Sequence, residues 1–212
     1  MKFTRRDKEI IACLASCLRV LSAKQIASTW WSESTTGVDS ALRRMRTLAT
    51  ADWLQELRIP VDTLPAMAQP VVTWSPGAKE PDVAAAAWQL QNRWERKFAT
   101  TSLFLATRSA AKVFGGVATG QLKSSDQATH DLGVAEIYLQ IRKFRPRLLQ
   151  WWVGEDTLAP HRRGQKLPDA VIASRPGATP QLVLEFGGAY DKARLREFHE
   201  DCSQRALPYE IW

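Results

Sequence analysis

The chain has 212 residues, 45% hydrophobic and 24% charged, with a formal net charge of +7. This length and composition suit one larger domain or two small ones with a real core, and exclude a disordered chain. Three cysteines without a leader-like start, and no apolar run near the about 20 residues of a membrane span, lead to the expectation of a cytoplasmic protein with reduced thiols and no membrane partner.

The charge is unevenly spread. Residues 1–128 hold 17 Lys+Arg against 11 Asp+Glu, whereas residues 129–212 hold 12 against 11. The positive field therefore belongs to the N-terminal part, as in modules that bind polyanions.

Thr4 is a good N-cap for a first helix, in which Ile10, Leu14, Cys17 and Leu21 share one face. Ser22 caps a short second helix that buries Ile26 and Trp30. A third helix follows from Val38, with Val38, Leu42, Met45 and Ala49 as its inward stripe. Its other face gathers Thr36, Ser40, Arg43, Arg44 and Thr47. Arginines there can grip guanine edges or phosphates, and hydroxyls can reach phosphates. Two extended runs, Trp53–Val61 and Pro70–Ser75, then read as a two-stranded ribbon. Three helices and a ribbon are the winged helix-turn-helix order, assigned to residues 1–78.

Residues 79–128 read as a helical connector. They open with one long helix, "VAAAAWQLQNRWERKFA", followed by a short strand, a turn and a helix; "GGVATGQLKSSDQ" marks a flexible boundary.

Residues 129–212 read as helix, strand, strand, strand, helix, strand. This αβββαβ order is that of the PD-(D/E)xK restriction-endonuclease-like core, so the expected fold class is α+β. Asp169 opens one strand, Glu185 lies in the next, and Glu136 sits on the preceding helix. Facing carboxylates on neighbouring strands can share a Mg²⁺ or Mn²⁺ ion that activates water. The lysine that would follow two residues after the second acid is replaced by Gly187. Lys143, Lys192 and Lys166 are the candidates for a migrated lysine, in that order. Arg162 and Arg163, with His161 in a basic loop, could contact phosphate beside the acids. His130 and His199 read as structural, and Cys13, Cys17 and Cys202 as core thiols.

The helix–helix–helix–ribbon start, "THDLGVAEIYL", "PDAVI" and "LVLEFGG" together resemble the replication-relaxation family. That resemblance implies a DNA-associated protein of a plasmid or other mobile element, with a nuclease-like domain that departs from the catalytic pattern. The expected function is double-stranded DNA binding through Ser40, Arg43, Arg44 and Thr47, needing no cofactor, with a homodimer as the usual form of such modules. One alternative is a metal-dependent endonuclease using Asp169, Glu185 and Glu136 with Lys143. Another is a protein-interaction module presenting some of the nine tryptophans.

Overall fold

The computed structural model describes residues 2–117, 122 and 124–212. Helix α1 (Arg5–Ser16) starts on Thr4, whose hydroxyl accepts from the Asp7 amide while the Asp7 carboxylate accepts from the Thr4 amide. After β1 (Leu21–Ser22), Ser22 and Gln25 repeat this exchange at the start of α2 (Ala23–Trp30). Such boxes satisfy amides that a helix start leaves without partners. Ser34 caps α3 (Thr35–Thr50). Then come β2 (Leu54–Asp62), β3 (Val72–Trp74), α4 (Val83–Asn92), β4 (Phe98–Ala106) and α5 (Arg108–Phe114). The chain continues with α6 (Ser125–Phe144), β5 (Trp152–Gly154) and a short α7 (Glu155–Leu158). It ends with β6 (Ala170–Ile172), β7 (Leu182–Glu185), α8 (Lys192–Gln204) and β8 (Tyr209–Ile211). The protein is thus of mixed α+β class. Among the described residues, no helix is long and apolar enough to cross a membrane.

Two compact units share the chain, and neither is continuous. One comprises Met1–Thr63 with Lys97–Glu136, the other Leu64–Arg96 with Ile137–Trp212. The expected partition at 1–78, 79–128 and 129–212 cuts across both, and the boundary expected at 115–127 falls partly outside the described residues.

The first unit packs α1, α2, α3 and α5 with a three-stranded sheet of order β1-β4-β2. Its core includes Ile10, Leu14, Ile26, Met45, Leu48, Leu103 and Leu105. β2 pairs antiparallel with β4 over its whole length, from Leu54↔Ala106 to Asp62↔Phe98. This corrects the expected ribbon: Pro70–Ser75 is not the partner of β2. In β3, Val72 and Trp74 turn into the second unit's core, and the strand pairs with β8. It also corrects the long helix of residues 83–99. α4 ends at Asn92, Arg96 takes φ +49°, and Phe98 already belongs to β4. From Phe98 the chain instead pairs along β2, and further on with β1, so that β4 is the middle strand of this sheet.

The second unit is built on a five-stranded sheet of order β3-β8-β7-β6-β5. β5, β6 and β7 form an antiparallel meander, and β8 returns through α8 to lie parallel to β7. All residues of β6 and β8 are buried, as in a sheet covered on both faces. Leu90 of α4 and Phe198 of α8 pack into this core with Val171, Val183 and Tyr209.

Candidate nucleic-acid interface and acidic pair

Helix α3 does not turn inward on the expected stripe. Its buried residues are Gly37, Ala41, Met45 and Leu48, while Val38, Leu42 and Ala49 are only half-buried. Gly37 lets the turn before the helix fold back onto its first turn: a Cβ there would lie 2.3 Å from Ser32 Oγ. This rotation decides which cations face out. Arg43 and Thr47 are exposed and Ser40 is half-buried. With Asp39, Leu42, Arg46 and Thr50, Arg43 and Thr47 line a shallow open groove.

Arg44 is turned the other way. Its Nε donates to Asp7 Oδ1 at 2.9 Å, and its Nη2 to Asp7 Oδ2 at 2.5 Å and to the Lys2 carbonyl at 3.1 Å. Asp7 is 1% exposed, so this bidentate pair ties α3 to the start of α1. Burial works to raise the Asp7 pKa, but the bonds from Arg44 and Thr4 outweigh it and hold the carboxyl below its ordinary range. Arg46 is likewise engaged, with its Nε 3.0 Å from Glu56 Oε2 on β2. The Thr47 hydroxyl donates to the Arg43 carbonyl at 3.0 Å. Its single proton is therefore directed to the helix, and its oxygen remains an acceptor. Of the four residues expected to read DNA, Arg43 is the cation left open. Arg58, exposed on β2, adds another positive charge on this unit.

In the second unit, Asp169 and Glu185 do meet. The register Ala170↔Leu184 places them opposite one another, and both are buried, at 7% and 6% exposure. The Phe186 amide donates to Asp169 Oδ2 at 2.7 Å, and the Asp169 amide to Glu185 Oε2 at 3.3 Å. Tyr190 Oη donates to Glu185 Oε1 at 2.6 Å. Burial, then the charge of Glu185, pushes the Tyr190 phenol far up, so it stays a donor. Three of the four carboxylate oxygens thus already accept from protein donors.

Gly187 leaves no room for the missing lysine. A Cβ there would lie 2.7 Å from Ile211 Cγ2 and 2.9 Å from Leu90 Cδ1. Among the proposed substitutes, Lys143 Nζ sits 5.0 Å from the Phe144 ring centroid, and Lys166 Nζ 3.3 Å from Glu197 Oε1. Lys192 is an exposed residue in the first turn of α8. Glu136 belongs to the first unit, where Gln25 Nε2 donates to it at 3.1 Å. Among the described residues, no group of three or more His, Cys, Asp or Glu is placed to hold a metal ion. Mg²⁺ calls for a near-octahedral oxygen shell, of which this pair offers two carboxylates, with three of their oxygens already accepting one protein hydrogen bond each.

The basic loop divides. Arg163 is exposed, but Arg162 is buried. His199 is structural in its surroundings: its Nδ1 lies 2.9 Å from Tyr209 Oη, and its ring meets Trp74 edge-on. Sequence reasoning missed the Asp7–Arg44 and Tyr190–Glu185 pairs. The first had a faint signal, since Asp7 is the third residue of a capping box. Tyr190 had only its short spacing from Glu185.

Comparison with family models, curated proteins and solved structures returned no match for this chain.

Proposed function

We propose that this protein binds double-stranded DNA through α3, and that its second unit is a nuclease-like domain without nuclease activity. The observation that carries the reading is the open face of α3, where the Arg43 side chain stands beside Ser40 and Thr47 with no hydrogen-bond or ion-pair partner among the described residues. A helix of 16 residues with one unengaged arginine and short polar side chains is suited to a major groove. The order α1-β1-α2-α3-β2-β4, with the sheet β1-β4-β2, is consistent with a winged helix. In that reading residues 64–96 are an insertion between the two wing strands.

The nuclease-like reading of the second unit rests on the order α6-β5-α7-β6-β7-α8-β8, in which the short α7 is an addition to the expected series, and on the facing Asp169 and Glu185. The proposal that it is inactive is supported by Gly187 in the place of the lysine and by the internal bonding of both acids. The likeness to the replication-relaxation family adds the expectation of a plasmid or other mobile element as the setting.

A mobility-shift titration tests the DNA reading. Arg43→Ala should weaken duplex binding about tenfold, equivalent to about 1.4 kcal/mol, with the unfolding curve unchanged. Equal affinity of the variant and the parent would overturn the groove assignment. Binding should also weaken steeply with salt. Incubation of supercoiled plasmid with Mg²⁺ or Mn²⁺ should yield no nicks; nicking abolished by Asp169→Ala would establish the metal-dependent endonuclease instead.

A further inference from the structure

Arg46 follows Arg43 by three residues on α3, and both line the open groove with Asp39, Leu42, Thr47 and Thr50. The two threonine hydroxyls donate to the carbonyls of Arg43 and Arg46, each at 3.0 Å. The arginines are therefore the side-chain donors that the groove has to offer. Arg46 is held from the ribbon. Its Nε donates to Glu56 Oε1 at 3.2 Å and to Oε2 at 3.0 Å, and its Nη2 to Oε1 at 3.0 Å. Ser102 Oγ on β4 donates to the same Glu56 Oε1 at 2.8 Å. The bonds from Arg46, against the opposing effect of burial, hold the Glu56 carboxyl below its ordinary range, and Ser102 and the charge of Arg58 act in the same direction. Glu56 is thus an anion near neutral pH, fixed on a paired strand.

A guanidinium carries five N–H donors arranged along two edges. Arg46 spends the Nε–Nη2 edge on Glu56, and these are its side-chain bonds to the described residues. Both Nη1 protons and one on Nη2 remain, on a side chain that is 50% exposed where that of Glu56 is 20% exposed. We propose that Arg46 is a second DNA contact, keeping Glu56 on one edge and gripping a backbone phosphate with the other, with Glu56 as the residue that positions it. This rests on the DNA reading of α3. A fork already oriented by the ribbon loses less freedom on binding than a free arginine does. Arg46 stands on the flank of α3 that meets β2, and a helix seated in a groove meets the sugar-phosphate backbone at its flanks. Arg58, exposed on β2 two residues beyond Glu56 and on the same face, adds positive charge at this flank. Asp39, which would repel a phosphate, is seven residues from Arg46 and four from Arg43.

The test measures duplex affinity of the full chain over a series of salt concentrations. Arg46→Ala should weaken binding about fivefold and make the slope of log affinity against log salt shallower by about 0.9, the signature of one lost phosphate contact. Arg46→Lys should not restore either, because its single ammonium is taken by Glu56 and offers no second edge. Glu56→Gln gives the sharpest sign. Removing an acid from a DNA-binding face ordinarily tightens binding, whereas here it should weaken binding about threefold, and no longer do so in the Arg46→Ala background. A purely structural Arg46–Glu56 pair would leave the salt slope of Arg46→Ala unchanged, and that result overturns the contact. Tighter binding by Glu56→Gln overturns the positioning role. Binding that Arg43→Ala weakens but Arg46→Ala does not removes this contact and leaves the DNA reading standing; no duplex binding by the parent protein removes both. Should Arg46→Ala fail to fold, Arg46→Gln, which keeps part of the stem, carries the same test.

Discussion

Arg43 on α3 and Glu185 at the end of β7 both stand out in the sequence as functional charges, and the fold treats them oppositely. Arg43 lines an open groove and, although Asp39 lines it too, has no ion pair among the described residues. Glu185 is buried against Asp169 and accepts from an amide and a phenol. The difference teaches that a residue type makes a site only when its hydrogen-bonding capacity is left for a ligand. Arg44, one residue from Arg43, makes the same point within a single helix: its guanidinium serves Asp7.

The largest expected effect tests that contrast on α3 itself. Arg44→Ala strands a buried carboxylate and should cost about 3 kcal/mol in urea unfolding, while Arg43→Ala costs under about 0.5 kcal/mol. Similar losses for the two would erase the distinction between the engaged and the open arginine.

Next in size is the attempt to open the closed site. Gly187→Lys restores the nuclease pattern on paper, yet its Cβ must displace Ile211 and Leu90. It should destabilise by about 2 kcal/mol and confer no plasmid nicking with Mg²⁺. Nicking by this variant would mean that the acid pair is poised for a metal after all. A smaller effect is expected from Tyr190→Phe, which leaves Glu185 short of one donor. The loss should be about 1.5 kcal/mol, read by thermal or urea unfolding.

The smallest and most specific effect is in pH dependence. The Asp7 pKa is lowered in the folded state, so its contribution is complete above the unfolded value of about 3.9 and is lost as pH falls through the lowered folded value. In Arg44→Ala, loss on acidification should begin at higher pH than in the parent. Coincident acid limbs in the two proteins would remove Arg44 as the cause of the shift.

Much of the local architecture was legible. Thr4 and Ser22 cap their helices as expected, because a hydroxyl or acid at a helix start acts within three residues. The order of strands and helices from residue 125 onward follows hydrophobic runs that are local in the same way. The sequence set each acid in its own strand but left open whether the two face one another; the register Ala170↔Leu184, across a connection of residues 173–181, brings them together. The expected αβββαβ series differs from the structure in its first strand: Pro146–Trp151 is a 3-10 turn, the strand is only Trp152–Gly154, and a short helix, Glu155–Leu158, follows it before the next strand.

By itself, then, the sequence determined the helix starts, the strand segments, the basic bias of the N-terminal part and the exclusion of a lysine from position 187. Tertiary structure alone decided that β2 joins β4 across an intervening segment, while β3 joins β8. It also decided that α3 turns Arg43 outward and Arg44 onto Asp7, and that Arg162 is buried where Arg163 is not. The physical reason is range. Caps and periodicity act over a few residues, whereas strand partners and the solvation of a long cationic side chain depend on surfaces brought together from distant parts of the chain.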